Sequence, residues 1–299
     1  RPPISTLFPY TTLFRSMLIA LSVMVVAKWL YRGAMQAYSE VSATGVKSGE
    51  AAKNGFLGQN KSVFVRLIWR HIAIFLGNST FLFQLGISMF LPTIILGVNM
   101  AAGDLSLDVF RGPMAMARNP YIFTGLMIGP AMMASLSATV ITREGKAFWE
   151  TLVMPISHHE NLKSRIWSSN LLCCFAIVIQ GGIGLWLLPM APLDALLAVV
   201  LALLATHLLN TVDLYINVAR PILNWVNPTA AVKNNLNLLF AFAYRLALGL
   251  AGYVALGVLP LKTFKGDALV VICLLVIGYG IQQVVFYPKL LENFRKMEW

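Results

Sequence analysis

Few residues in this chain could do chemistry, and the densest group of them lies in one short stretch. Thr142–Ser157 reads TREGKAFWETLVMPIS. Arg143, Glu144 and Lys146 set charge around Gly145; Phe148, Trp149, Leu152 and Met154 follow, and Pro155 ends the local helix. A short, stiff loop showing both charge and apolar bulk suits docking on a partner, because a few large anchors carry most of the binding energy of an interface. The same residues suit a plain membrane-edge loop with Trp149 as its interfacial aromatic.

Two further charges, Asp213 and Arg245, stand well inside apolar segments. A lone charge in lipid is expensive, so such residues pair or face a water-filled path. At about 1.5 Å per residue, Arg245 lies roughly 13 Å and Asp213 roughly 6 Å from the same membrane face. An arginine can close that gap by reaching toward the interface. The two are expected to form a structural or gating pair; the alternative is that Arg245 snorkels alone to the headgroups.

Catalytic patterns are missing. His158-His159-Glu160 looks metal-like, but Lys163 occupies the fourth position after His159, so the HExxH zinc spacing fails and no metal site is expected. There is no GxxxxGK[ST] phosphate loop, no GxSxG and no carboxylate pair within a span. An enzyme reading has nothing to stand on. Cys173, Cys174 and Cys273 all fall in apolar segments and read as small packing residues.

The background holding these residues is greasy. Of 299 residues, 58% are hydrophobic and 12% charged, and the mean hydropathy is +0.72. A soluble domain carries about 25% charged residues, so this composition describes an integral membrane protein. Apolar runs long enough to cross a bilayer as helices fall at about 79–98, 119–142, 166–188, 195–217, 236–259 and 268–287. The net charge of +11 reads as basic loops beside an anionic leaflet rather than as a nucleic-acid surface. With the C-terminus inside, the outer segments hold only Arg111, Arg118, Lys262 and Lys265. That bias places the C-terminus and the Thr142–Ser157 stretch in the cytoplasm of a multi-pass plasma-membrane protein.

Ahead of these spans, Arg1–Ser16 resembles translated sequencing-adapter read-through and is expected to stand outside the fold. Met17–Leu30 reads as a truncated transmembrane helix and residues 31–60 as a polar cytoplasmic linker. Lys61–Ser79 then places Ser62, Arg66, Arg70, Ala73 and Gly77 on one narrow stripe, with Trp69 among the apolar residues around it. That pattern predicts an interfacial helix with its cations toward the headgroups.

The order of interfacial helix, two spans, compact knot and four more spans resembles a type-2 ABC exporter permease. Three segments carry the likeness: Lys61–Ser79 is similar to the family's elbow helix, Thr142–Ser157 to its S-R-E-G-K-x-F-W…L-P-I-S segment, and Arg220–Asn237 to its R-P-x-L-x-W-x-N…A-V-K-x-N-x-N loop. The chain departs from the pattern at Thr142, where Ser is usual, and at Val153-Met154. The resemblance implies an all-α, polytopic, six-helix transmembrane domain at residues 61–299, the C-terminal half of a longer bacterial permease in the cell inner membrane. It also implies ATP-driven export, and Arg143–Pro155 as the coupling loop that docks on a separate ABC ATPase. A second permease half would complete the path, and ATP and Mg would sit on the ATPase, with no cofactor on this chain. An ion-coupled secondary transporter using Gln180, His207, Asn210 and Asp213 is the alternative.

Overall fold

The computed structural model describes residues 62–103, 105–112, 114–233, 235–258 and 263–298. The adapter-like segment, Met17–Leu30 and the 31–60 linker lie outside them. Of the described residues, 62–93 and 110–298 belong to one compact unit and 94–109 to a second. Among the described residues every regular element is helical, and six helices are long and apolar enough to cross a membrane. The protein is therefore an all-α, multi-pass membrane protein.

Val63–Leu76 forms a helix capped by Ser62, whose Oγ accepts from Val65 N. Leu67, Ile68, His71, Ile72 and Phe75 recur on one face and are buried, packed against the third span. Asn78 caps the next turn by accepting from Thr80 N at 3.0 Å, and the first span, Ser79–Ala102, begins there. This span contains a π turn at Leu82–Gly86 and a proline at 92, both common sources of bending in a helix.

The second span, Ala115–Ala134, is the buried centre of the larger unit and packs on the third and fourth. Gly129 admits the ring of Pro92: a Cβ there would lie 2.7 Å from Pro92 Cγ. This span stops short of the Thr142 expected from hydropathy, because Ser135 adopts a left-handed conformation (φ 46°, ψ 45°), which residues other than glycine seldom take. The chain continues as 3₁₀ turns, Leu136–Thr139 and Thr142–Ala147, and a short helix, Phe148–Val153.

The third span, His158–Leu187, starts earlier than its apolar window. Ser157 caps it, and its first turns carry polar residues that hydropathy reads as loop. The fourth runs Pro192–Ala219, with Pro in the first turn where its missing N–H matters least. After a loop and the short helix Pro228–Lys233 come the fifth span, Leu236–Val258, and the sixth, which begins at Phe264–Ile281 and continues through a π turn to Tyr287–Arg295. In the larger unit, Val63–Leu76, the Ser135–Ser157 segment, residues 220–233 and Tyr287–Arg295 gather at one end. Asn119 closes the other by donating to Phe110 O and Pro189 O, each at 2.9 Å.

Candidate functional site

The knot at Thr142–Ser157 is built on a glycine. Gly145 has φ +54° and ψ −132°, a combination open to glycine because it lacks Cβ. A Cβ there would also meet the Trp225 ring at 2.8 Å. Trp225 comes from the Arg220–Asn237 loop and donates its Nε1–H to Thr142 O at 2.6 Å. Asn217, at the end of the fourth span, accepts from Ile141 N and donates to Thr142 Oγ1, both at 2.8 Å. Ile222 N also donates to that hydroxyl. Thr142 is thus used through its hydroxyl, which the serine usual in the resembled segment would equally supply. The two loop segments singled out from sequence are one packed assembly.

Beneath that assembly is an ionic cluster centred on Glu144. Arg165, fully buried in the third span, donates Nη1 to Glu144 Oε1 and Nε to Asn161 Oδ1. Thr151 donates to Glu144 Oε2 at 2.6 Å and accepts from Arg70 Nη1 at 2.9 Å. Arg70 Nη1 itself lies 3.6 Å from the carboxylate. Arg143 donates to Leu136 O at 3.1 Å and lies over the Phe75 ring; Arg165 lies over Phe148. Arg70 and Arg165 therefore share the Glu144 carboxylate, Arg70 also lying 3.9 Å from Glu150, while Arg143 has a carbonyl oxygen and an aromatic face. His71 Nδ1 approaches Glu144 Oε1 to 3.5 Å, but this is no ion pair. Burial, with Arg165, Arg70 and Arg143 nearby, holds the imidazole pKa well below its ordinary value and the ring neutral.

The residues read from sequence as a docking face therefore divide. Arg143, Glu144 and Phe148 were expected to face a partner; they are buried, and Phe148 packs edge-on against Phe294. Arg70, expected to meet headgroups, turns into the cluster because Glu144 and Thr151 offer it bonds there, while Arg66 is half-buried. Facing outward are Lys146, Trp149 (61% exposed), Glu150 and Pro155, with Trp69 exposed on the interfacial helix and Leu152 and Met154 half-buried. Val226, 99% exposed, projects from the partner loop. Clefts of about 630 Å³ and 460 Å³ flank Lys146, the first walled by Trp225 and Val226, the second by Trp149, Leu152 and Leu223. His158 and His159 are engaged by Phe294 and by Tyr287, whose hydroxyl lies 2.9 Å from His159 Nδ1.

Deeper in the bundle, Arg245 Nη2 donates to Asp213 Oδ2 at 2.6 Å. Its Nη1 donates to Ser135 Oγ. Both charged residues are buried. Gln180 accepts from Thr93 Oγ1 at 2.6 Å and donates to Met89 O. Asn210 donates to Asn170 Oδ1 at 2.8 Å, and Asn170 Nδ2 lies 2.9 Å from His207 Nδ1.

No protein-family model, curated protein or solved structure matches this chain. Sequence reasoning missed Arg165, Thr151, Asn161, Asn217 and Ser135. Their one legible signal was Arg165 at the head of an apolar run, where a cation reads as an ordinary membrane-edge residue.

Proposed function

We propose that this chain is the transmembrane permease subunit of an ATP-binding cassette exporter in a bacterial inner membrane, with its C-terminus cytoplasmic. A separate ABC ATPase would dock on the exposed face of the knot, bind ATP and Mg, and move a substrate through the membrane by pulling on that face. A second permease half would complete the path. The observation that supports this most is the locking of Trp225 onto Gly145. It joins the two loops that resemble the family into one stiff surface, with Trp149, Lys146 and Val226 outward. A force-bearing contact needs a rigid base and large exposed anchors, and the Glu144 cluster supplies the base.

Glu144→Lys is a poor probe of docking, because it would place another cation among the buried guanidiniums of Arg143 and Arg165 and the part-exposed one of Arg70. Trp149→Ala and Lys146→Glu disturb only the exposed face. In proteoliposomes holding the chain and an ABC ATPase encoded by a neighbouring gene, either change is expected to lower ATPase retention and permease-stimulated hydrolysis by about tenfold, with membrane insertion unchanged. Wild-type retention and hydrolysis in both variants would overturn the assignment. The polar chain through Asn210, Asn170 and His207, with Asp213 one turn from Asn210 and Gln180 further along the third span, favours a second reading as an ion-coupled transporter. Transport driven by a proton or sodium gradient without ATP would establish that reading instead.

A further inference from the structure

One piece of backbone, Ser135–Gly145, runs from the membrane-embedded ion pair to the exposed knot, and it is pinned along its length. At the inner end Ser135 Oγ accepts from Arg245, the same guanidinium that binds Asp213. In the middle, Arg143 binds Leu136 O, and Asn217 holds Ile141 N and Thr142 Oγ1. At the outer end Trp225 covers Gly145, and Arg165 and Thr151 hold Glu144. Every residue from Ser135 to Gly145 is buried. Buried, close-packed chain has little room to absorb a displacement. The inner pair has bonds to spare: Asp213 Oδ1 and Arg245 Nε hold no protein hydrogen-bond partner, as is also true of Ser137 Oγ and of Arg143 Nε and Nη1 within the segment. Its bonding can therefore be rearranged without abolishing it.

We infer that Ser135–Gly145 is a rigid lever, so that displacing the knot at Gly145 shifts Ser135 and re-sets the Arg245–Asp213 contact between the fifth and fourth spans. The inference rests on this chain's geometry alone and holds whatever binds the knot. A two-state element biased from both ends is what energetic coupling between separate sites requires.

Cys173 offers a native reporter. It is buried, with Sγ 3.9 Å from Asn210 Nδ2, and Asn210 lies one helical turn from Asp213. In the full chain carrying Cys174→Ser and Cys273→Ser, reconstituted in nanodiscs, N-ethylmaleimide modification of Cys173 reads the opening of the pair's surroundings. Gly145→Ala, which forces a Cβ into Trp225, is expected to raise the rate about tenfold. Adding Arg245→Gln should raise it little further, because the link is already broken. Asn119→Ala, at the opposite end, is the control for general loosening and should leave the rate near wild type even where it lowers the melting temperature as much. If Gly145→Ala fails to accumulate, Trp225→Phe, which keeps the ring bulk and loses the bond to Thr142, should raise the rate by a smaller factor. An unchanged rate in the knot variants, rates that multiply in the double variant, or an equal rise in Asn119→Ala would overturn the lever.

Discussion

Asp213 and Arg245 set one carboxylate against one guanidinium within the spans, whereas near Glu144 three guanidiniums gather around one buried carboxylate and one exposed one, Glu150. The difference follows from what each site can reach. Arg245 has Ser135 and the Tyr244 ring as its other neighbours, and neither carries a charge to offset a second cation. The Glu144 cluster sits at the end of the bundle. The Arg70 side chain keeps 14% of its surface exposed there, backbone and amide oxygens accept from Arg143 and Arg165, and phenylalanine rings underlie both. Depth, more than composition, decides whether unbalanced charge is tolerated.

The comparison is broken most directly at the inner pair. Arg245→Ala leaves Asp213 buried and uncompensated, and is expected to destabilise by about 3–5 kcal/mol, measured by thermal unfolding in detergent. Exchanging the partners, Asp213→Arg with Arg245→Asp, should recover part of the loss; damage that simply adds would show that the two residues act independently.

Glu144→Gln removes the buried carboxylate of the outer cluster and leaves only the exposed Glu150, 3.9 Å from Arg70. Arg70 can turn back to water, so the expected loss is smaller, about 1.5–3 kcal/mol. A loss as large as that of Arg245→Ala would mean that depth does not separate the two sites.

The smallest effect belongs to His71. Its pKa is depressed in the folded chain, so above the unfolded value of about 6.5 the ring is neutral in both states and contributes no pH dependence. As pH falls below that value, the unfolded chain binds a proton that the folded chain refuses, and stability drops. Melting temperature followed from pH 7.5 to 5 should decline less steeply in His71→Gln than in wild type; parallel curves would show that His71 does not titrate this way.

Much of the fold is legible in the residues because hydropathy is a local property. Six apolar runs appear as six candidate spans, and each covers most of its helix. The boundaries that moved did so for reasons a hydropathy window cannot register. Ser135 breaks the second span through its backbone conformation, and the third span extends back over His158–Arg165 because Ser157 caps it and polar side chains are no obstacle to a helix. The site was legible as segments rather than as contacts. Thr142–Ser157 and Arg220–Asn237 stood out, yet nothing in either says that Trp225 closes over Gly145.

Composition and local pattern alone were enough to make this an all-helical membrane protein, to place the six spans among the described residues and to single out Asp213 and Arg245, since each follows from transfer energies summed over neighbours in sequence. Packing chose the rest. It turned Glu144 inward to Arg165 and Arg70, left Trp149 outside, and gave Arg245 both Ser135 and Asp213 as partners. Which way a polar side chain on a helix points is set by what the neighbouring helices offer it, and those neighbours are distant in sequence.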